Sequence, residues 1–329
     1  MKSALKIVLC AMSLFGCSTE EEKQSSTSPC DDTLNLFRVD TQNPNVVRIY
    51  FEAKDCNGDG IVDKTVDDFT VYEGKDDITI QESSREQLDN FVAFDMQTLI
   101  LIDMSGSLQD SGNLPAVQAA LRTFTNTLVA SQPVGLYAFD GRVQIQQIAD
   151  FTTDALALHD AISGLTDFVV VDPSTNLNGA INQTLNLFNQ RQQQSGEGIF
   201  HGSVMVFTDG KDQAARITDE ELETRLAEVK HSVYTIGLGE DIDSEQLADL
   251  GPQGTYVSPD SMGLQDIFLS LASLLENQAN SKYALAYCSP KRNGVHTLQV
   301  LANYGKGTIT NEFDANGFSG GCSPEDLTP

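Results

Sequence analysis

The chain has 329 residues, of which 40% are hydrophobic, and its 47 Asp and Glu residues against 20 Lys and Arg give a formal net charge of −27. This length and hydrophobic content supply enough apolar side chains for domains with buried cores, which excludes a disordered stalk. The acidic surface argues against nucleic-acid binding, because phosphate backbones would be repelled, and it favours cations or basic partners. A role in solubility alone would also account for the charge.

The N-terminal residues have the pattern of an export signal. Lys2 and Lys6 accompany an apolar run, Ile7–Phe15, that is too short to span a bilayer. The run ends in Leu14-Phe15-Gly16-Cys17, which resembles the lipobox of bacterial lipoproteins. The resemblance implies a signal peptide over residues 1–16 and a diacylglycerol, with fatty acids such as palmitate, on Cys17. An ordinary signal peptide or a short buried segment is the alternative.

The residues after the lipobox predict where the protein is held. Ser18, rather than an aspartate, follows Cys17, which resembles the sorting signal for the outer membrane of Gram-negative bacteria. We therefore expect a lipid-anchored protein of the cell envelope, at the outer rather than the inner membrane. Residues 17–29 are polar and rich in Ser and Glu, so they predict a flexible tether between the lipid and the folded protein.

Four cysteines are left once Cys10 is removed with the signal peptide and Cys17 is acylated: Cys30, Cys56, Cys288 and Cys322. An even number in an exported chain indicates two disulfides, of which three pairings are possible. We predict the local pairing, Cys30 with Cys56 and Cys288 with Cys322. Free buried thiols are the alternative.

Three zones follow the tether. Residues 30–95 contain short strand-like runs, such as Val46–Phe51 and Phe69–Tyr72, between Asn, Asp and Gly turns. Residues 279–329 have the same character, with predicted strands at Tyr283–Tyr287, His296–Leu301 and Thr308–Phe313. Neither segment offers enough strands for its own core, so we predict that they pack together as one small β-sandwich. Two independent small domains are the alternative.

The central zone, residues 96–278, alternates apolar strands with segments of helical period. The predicted strands are Thr98–Ile102, Val134–Phe139, Val204–Thr208 and Val233–Ile236. Apolar residues recur every three or four positions between them, as in Leu177, Ile181, Leu185 and Phe188. Continuous apolar strands indicate burial on both faces, which requires helices above and below a mostly parallel sheet. The predicted fold is a doubly wound α/β domain inserted in, or flanked by, the β-sandwich.

The strongest candidate site is Asp103-Met104-Ser105-Gly106-Ser107, between the strand Thr98–Ile102 and a helix predicted from about Asn113. In open α/β sheets ligands bind at the carboxyl ends of the strands, where these residues lie. Asp103, Ser105 and Ser107 bring a carboxylate and two hydroxyls together from one loop. Such oxygen ligands suit Mg²⁺, Mn²⁺ or Ca²⁺ and suit zinc or copper poorly.

This motif resembles the metal-ion-dependent adhesion site of the von Willebrand factor type A domain, which begins with Asp-x-Ser-x-Ser after the first strand. The segment Ser174–Ala180 is similar to the threonine loop of that family, and Val204–Gly210 is similar to its aspartate-bearing strand end. The resemblance covers about residues 96–278. One difference is that Pro173 and Ser174 stand where the family often has two glycines.

The resemblance implies a divalent cation, with Mg²⁺ the first expectation and Mn²⁺ or Ca²⁺ the alternatives. The implied ligands are two carboxylates and three hydroxyls: Asp103, Ser105, Ser107, Thr175 and Asp209. An open coordination position would then bind an Asp or Glu carboxylate of a protein partner. The alternative is that these residues only cap helices and end strands.

A second and weaker metal candidate is the segment Asp55–Asp63, with potential ligands Asp55, Asn57, Asp59 and Asp63. It has the alternating acidic residues and central glycine of a calcium loop, but Val66 stands where an EF-hand needs a bidentate Glu. We therefore favour an acidic β-turn followed by the strand Phe69–Tyr72.

An enzyme is the main rival class, and the sequence gives little support for one. The four histidines are scattered, and the chain has no nucleophile elbow, P-loop or dinucleotide-binding turn. Ser105 has no evident base. The expectation is a binding protein without catalytic residues. A metal-independent structural or assembly scaffold of the envelope is the other alternative.

Overall fold

Fourteen strands and eight helices are assigned in the computed structural model, which describes residues 31–78, 85–87, 93–196, 198–240 and 242–327. The strands are β1 (Thr33–Gln42), β2 (Val46–Lys54), β3 (Phe69–Glu73), β4 (Asp76–Asp77), β5 (Arg85–Gln87), β6 (Phe94–Asp103), β7 (Val134–Phe139), β8 (Gln146–Thr152), β9 (Ile199–Thr208), β10 (Ser232–Leu238), β11 (Gly254–Ser258), β12 (Lys282–Cys288), β13 (Val295–Ala302) and β14 (Thr308–Asp314). The helices are α1 (Gly106–Ser111), α2 (Leu114–Leu128), α3 (Ala155–Gly164), α4 (Leu177–Gln194), α5 (Asp219–Glu228), α6 (Ser244–Leu250), α7 (Leu264–Asn280) and α8 (Pro324–Leu327).

The central sheet has the strand order β11-β10-β9-β6-β7-β8. Every neighbouring pair is parallel except β7 and β8, which are antiparallel. In β6, from Met96 onward, every residue is buried, and the same holds for all of β7. Strands that are buried on both faces need helices on both sides, and the sequence provides them.

The helices divide between the two faces of this sheet. On one face Ile100 and Ile102 pack with α2, α3 and α7. On the other face Leu99 and Leu101 pack with α4, α5 and α6. Consecutive residues of β6 therefore serve two different cores, as the period of two in a strand requires. The predicted doubly wound α/β fold is confirmed.

Two antiparallel sheets, β1-β2-β12-β5 and β14-β13-β3-β4, share a further core. Both combine strands from the two ends of the chain, since β2 pairs with β12 and β3 pairs with β13. Their apolar faces meet around Phe51, Phe69 and Tyr283, whose ring centroids lie 5.0 to 5.8 Å apart. Residues from Asp31 to the C-terminus form one compact unit, so the predicted domain limits at 30, 95 and 278 stay an interpretation.

One predicted disulfide is present and the other falls outside the described residues. Cys288, at the end of β12, is bonded to Cys322, with their Cα atoms 5.7 Å apart. Cys30 lies outside the described residues, so its pairing with Cys56 stays a prediction. The signal peptide, Cys17 and the tether also lie outside them. No helix among the described residues is long and apolar enough to cross a membrane.

The structure adds elements that the sequence pattern did not predict. A short helix, α1, stands between the Asp103 loop and α2, which begins at Leu114. The residues of strand β8 are part-buried or exposed, and in β11 only Ser258 is fully buried. Both lie at the edges of the central sheet, where strands need no continuous apolar run.

Candidate metal centre

The two central strands of the α/β sheet end in the residues of the candidate site. β6 ends at Asp103, and its parallel neighbour β9 ends at Thr208, directly before Asp209. The Thr208 hydroxyl donates to Asp103 Oδ2 at 2.7 Å, and Asp103 is completely buried. The sequence did not single out Thr208, which fixes one oxygen of this carboxylate in place.

The two serines continue the cluster toward the surface. The backbone N–H of Ser105 donates to Asp103 Oδ1 at 3.0 Å, which closes a tight turn before α1. The hydroxyl oxygens of Ser105 and Ser107 lie 3.1 Å apart, and the Ser107 hydroxyl donates to Asp209 Oδ1 at 2.7 Å. Hydrogen bonds thus link Asp103, Ser105 and Ser107, from one loop, to Asp209, which is distant in sequence, at one edge of the sheet.

Thr175 reaches the same edge from the loop before α4. Its carbonyl accepts hydrogen bonds from the backbone N–H groups of Gln213 and Ala214 at 2.9 and 3.0 Å. Its side chain is buried, and a Cβ placed on Gly210, next to Asp209, would lie 3.7 Å from the Thr175 hydroxyl. The hydroxyl of the fifth predicted ligand therefore lies close to Gly210, the neighbour of Asp209, although it is not among the hydrogen bonds of the cluster.

Hydrogen bonds hold the loop that carries Thr175. Asp172 Oδ1 accepts hydrogen bonds from the Ser174 N–H and hydroxyl, at 3.1 and 2.7 Å. The carbonyl of Pro173 accepts from the Gly106 N–H at 3.3 Å, which joins this loop to the start of α1. Pro173 and Ser174, which stand where the similar family often has glycines, both take part in this bonding.

A second buried aspartate, Asp140, is hydrogen-bonded to the backbone just before this loop. Asp140 follows β7, and its Oδ2 accepts the Val171 N–H at 3.1 Å while its Oδ1 accepts from the Arg142 side chain at 2.8 Å. Burial acts to raise the pKa of Asp140, but hydrogen bonds from Arg142 and Val171 outweigh it and lower that pKa below the usual value. Sequence reasoning missed Asp140, although an Asp directly after a buried strand is the same signal that identified Asp103.

The electrostatics of the two site carboxylates differ from those of Asp140. Burial raises the pKa of Asp103 to about 7, and the negative charge of Asp209 adds to this. Burial also raises the pKa of Asp209 above its usual value. Their oxygens face hydroxyls and backbone N–H groups, whereas Asp140 has a guanidinium. The cluster thus concentrates negative charge that its own hydrogen bonds do not balance.

The donor set fits a hard divalent cation. It consists of two carboxylates and three hydroxyls, all oxygen donors of the kind that Mg²⁺, Mn²⁺ and Ca²⁺ prefer. Among the described residues, no group of three or more His, Cys, Asp or Glu side chains could hold a metal ion. The candidate centre has only two such groups, Asp103 and Asp209, and takes its other donors from Ser and Thr.

The weaker candidate, the segment Asp55–Asp63, forms a turn. Asp55 Oδ1 accepts the N–H groups of Asn57 and Asp59 at 2.8 and 2.9 Å, so this carboxylate is used within the loop. The hydrogen bond from the Asp59 N–H is the main cause that lowers the pKa of Asp55. Asp63 has a left-handed backbone with φ of 60°. The geometry agrees with the acidic turn that the sequence favours.

The described residues around Ser105 do not form a nucleophile and base. The Ser105 hydroxyl contacts that of Ser107, which donates to a carboxylate. Two histidines that are distant in sequence do meet elsewhere: the ring centroids of His201 and His231 are 6.5 Å apart. Their neighbours include Ser232 and the rings of Phe188 and Phe200, and they lie beside the β9 end that is opposite Thr208.

The fold and this cluster define a class: a doubly wound α/β domain with oxygen ligands at the carboxyl ends of its central strands. The family model of the von Willebrand factor type A domain matches residues 98–211, a range that contains all five candidate ligands. This part of the chain is a von Willebrand factor type A domain, as its motifs indicated. Such domains are generally modules of protein–protein interaction or adhesion rather than enzymes.

Several solved structures are similar to the chain. Proximal thread matrix protein 1 from the mussel byssus, with a zinc-occupied MIDAS motif, is 16% identical and covers 57% of this chain, with a TM-score of 0.46; the chain spans 49% of that protein. A von Willebrand factor type A protein from Catenulispora acidiphila is 14% identical, covering 93% of this chain and 77% of its own, with a TM-score of 0.46. BatB from Bacteroides thetaiotaomicron is 16% identical and also has a TM-score of 0.46; the match covers 56% of this chain and 100% of BatB. None of the curated proteins compared with the chain matches it.

Proposed function

We propose that this chain is a cell-envelope lipoprotein whose von Willebrand factor type A domain binds a divalent cation, Mg²⁺ first, and through it an Asp or Glu carboxylate of a protein partner. The observation that carries the proposal is the hydrogen-bonded cluster of Asp103, Ser105, Ser107 and Asp209 at the carboxyl ends of β6 and β9. A bound cation would supply an electrophile that neutralises this cluster and accepts one more oxygen ligand.

The protein side chains set how such an ion would be held. Exposure increases along the cluster, from Asp103 and Ser105, which are buried, through Asp209, which is half-buried, to Ser107, which is exposed. The buried oxygens are held by Thr208 and by the turn at Ser105, so they need little rearrangement. The exposed end leaves room for a carboxylate from outside. We expect binding without a chemical reaction, since von Willebrand factor type A domains are generally interaction modules rather than enzymes.

The partner's carboxylate would approach a rim of paired charges and apolar groups. Arg142 and Arg216 lie on the loops next to Thr175, where Arg142 pairs with Asp140 at 2.8 Å and Arg216 with Asp172 at 3.4 Å. Val169 and Val171, on the same rim, are exposed by 72% and 64%. Exposed apolar side chains beside a polar centre are typical of protein-binding surfaces.

The test is calorimetric titration of Mg²⁺, Mn²⁺ and Ca²⁺ into the metal-free protein. Ser107→Ala removes a proposed ligand from an exposed position, and Ser111→Ala is the matched control on the same short helix, where the hydroxyl donates to the Leu108 carbonyl. We expect saturable binding that weakens by about tenfold or more in Ser107→Ala and Asp209→Asn and is unchanged in Ser111→Ala. No binding by the wild type, or equal binding by all variants, would refute the metal centre and leave a metal-independent scaffold.

The lipoprotein part of the proposal rests on the motif Leu14-Phe15-Gly16-Cys17 and on Ser18. Growth of an expressing Gram-negative bacterium with labelled palmitate should label the wild-type protein and leave Cys17→Ser unlabelled. Fractionation should then place the labelled protein in the outer membrane. An unlabelled wild type would exclude the anchor without affecting the metal centre.

A further inference from the structure

Four asparagines of the chain are directly followed by glycine: Asn57, Asn178, Asn293 and Asn316. The backbone nitrogen of the following residue can attack an Asn side chain, and glycine, which has no Cβ, shields that nitrogen least. The attack needs an exposed amide, a backbone N–H that is not held by an acceptor, and a polarised side-chain carbonyl. The four pairs differ in these three respects.

Hydrogen bonds and burial hold the first two pairs. The Gly58 N–H donates to the Asp55 carbonyl at 3.0 Å, and Asn57 Nδ2 donates to Asp55 Oδ2 at 3.3 Å. Asn178 lies in α4, is only 1% exposed, and donates from Nδ2 to Asp219 Oδ1 at 2.7 Å. Neither pair therefore combines a free nitrogen with a free amide.

The last two pairs face each other where the hairpin β13–β14 begins and ends. The Gly294 N–H donates to Asn316 Oδ1 at 2.9 Å, and the Ala315 N–H donates to the Gly294 carbonyl at 2.9 Å. The side chains of Asn293 and Asn316 are both exposed. The nitrogen that follows Asn293 is thus engaged, whereas the Gly317 N–H has no acceptor among the residues that the structure describes.

The hydrogen bond that engages Gly294 also polarises the side chain of Asn316. Attack of the Gly317 nitrogen on Asn316 Cγ moves negative charge onto Oδ1, the atom that accepts the Gly294 N–H. A backbone N–H that already points at this oxygen stabilises the charge as it develops, as the donors of an oxyanion hole do. Asn316 therefore combines an exposed amide, a free backbone nitrogen and a polarised carbonyl.

We propose that Asn316 is a site of spontaneous deamidation and that Asn293 becomes reactive only after it. The Gly317 nitrogen forms a bond to Asn316 Cγ, its proton passes to Nδ2, and ammonia leaves, which gives a succinimide. Water then opens the ring at Cγ to give aspartate, or at the backbone carbonyl carbon to give isoaspartate. The net change is the exchange of ammonia for water, without a cofactor or a change of oxidation state.

The two products differ in their effect on the turn. Aspartate keeps an oxygen that accepts the Gly294 N–H, whereas isoaspartate moves a methylene from the side chain into the backbone and displaces that oxygen. The Gly294 nitrogen is then released to attack Asn293. Phe318, which is 7% exposed and stacks on Phe313 at 6.3 Å, follows two residues after the site. Isoaspartate formation therefore also disturbs the adjacent edge of the sandwich core.

The test is peptide mapping of the full chain after incubation in mildly alkaline buffer. Trypsin places the four asparagines in separate peptides, and mass spectrometry detects the exchange of NH for O. We expect Asn316 to convert at least about tenfold faster than Asn57 or Asn293 in the folded chain, which is the size of effect that one oriented hydrogen bond supplies. In concentrated urea the four rates should become similar. Conversion of Asn316 no faster than Asn57 in the folded chain would overturn the site.

Two matched variants test the order of the two reactions. Asn316→Ala removes the acceptor of the Gly294 N–H, so Asn293 should convert about tenfold faster than in the wild type. Asn316→Asp keeps an acceptor at the same place and should leave Asn293 slow over the same period. An unchanged rate at Asn293 in Asn316→Ala, or an equal acceleration in both variants, would overturn the order. In the wild type, methylation by an isoaspartate methyltransferase should label the Asn316 peptide before the Asn293 peptide.

Discussion

Replacing His231 with Asn should remove a pH-dependent loss of stability. His231 is 6% exposed and packs against Phe188 and Phe200, with ring centroids 5.3 and 5.7 Å away. Its Nδ1 accepts the Gly202 N–H at 3.3 Å, a bond that protonation of Nδ1 would eliminate. Burial, helped by the positive charge of Arg225, lowers the pKa of His231 to about 4.

The sign and size of the effect follow from the two pKa values. At pH values above 6.5, the pKa of His231 in the unfolded chain, neither state binds a proton at this residue. The free energy of unfolding then does not depend on the titration of His231. As the pH falls from 6.5 toward 4, the unfolded chain takes up a proton that the folded chain excludes, and stability is lost. At pH 5 the loss is about 2 kcal/mol, since each pKa unit is worth about 1.36 kcal/mol. His201, whose pKa is lowered to about 3, adds a second loss of the same sign.

Urea unfolding of wild type and His231→Asn at pH 7.5 and pH 5 measures this loss. Asn keeps an acceptor near the position of Nδ1 and does not titrate, so the difference between the two proteins should move by about 2 kcal/mol in favour of the variant between these pH values. Phe188→Leu is the control, because it changes the same cluster without a titrating group and its cost should be equal at both pH values. A wild type and His231→Asn that differ equally at pH 7.5 and pH 5 would refute the reasoning.

Three further predictions concern the site and the two cores. Asp140→Asn should weaken Mg²⁺ binding about tenfold in calorimetry, because the Asp140 carboxylate holds the loop of Thr175; unchanged affinity would separate that loop from the metal. Opening the Cys288–Cys322 disulfide with Cys288→Ser and Cys322→Ser should lower the free energy of unfolding by about 4 kcal/mol, given a sequence separation of 34; urea unfolding with and without reductant checks this, since reductant should affect the variant less. Phe268→Ala should cost about 3–5 kcal/mol in the same assay, against less than about 1 kcal/mol for Leu269→Ala, whose side chain is 44% exposed.

The sequence predicted the centre of the α/β sheet because its strands are buried on both faces. β6, β7, β9 and β10 consist of nearly continuous apolar residues, and short runs of this kind are typical of strands covered on both sides. The edge strand β8 contains Gln146, Gln147 and Asp150, and its half-exposed pattern is shared by many loops. The short strand β11 likewise has a mostly part-buried pattern. Edge strands obtain their stability from one neighbour, which leaves no comparable signal in the sequence.

The candidate ligands could be predicted because each lies in a short local motif. Their support could not, because it joins residues that are far apart along the chain. Thr208 holds Asp103 across 105 residues, and Arg216 reaches the Gly141 carbonyl across 75. The pair of His201 and His231 is another example, since along the sequence each is an isolated residue. Only the pairing of β9 with β10, and the position of α4 beneath them, brings these rings together.

A strongly acidic chain that binds an acidic partner must change the sign of its potential locally. The formal net charge of −27 is spread over the whole molecule, and at physiological salt charges more than about 8 Å apart are largely screened. Arg142 and Arg216, on the loops beside Thr175, are each paired with a carboxylate, Asp140 and Asp172, so the change of sign rests on the proposed cation. A cation bound at this cluster would make an acidic surface compatible with an acidic ligand.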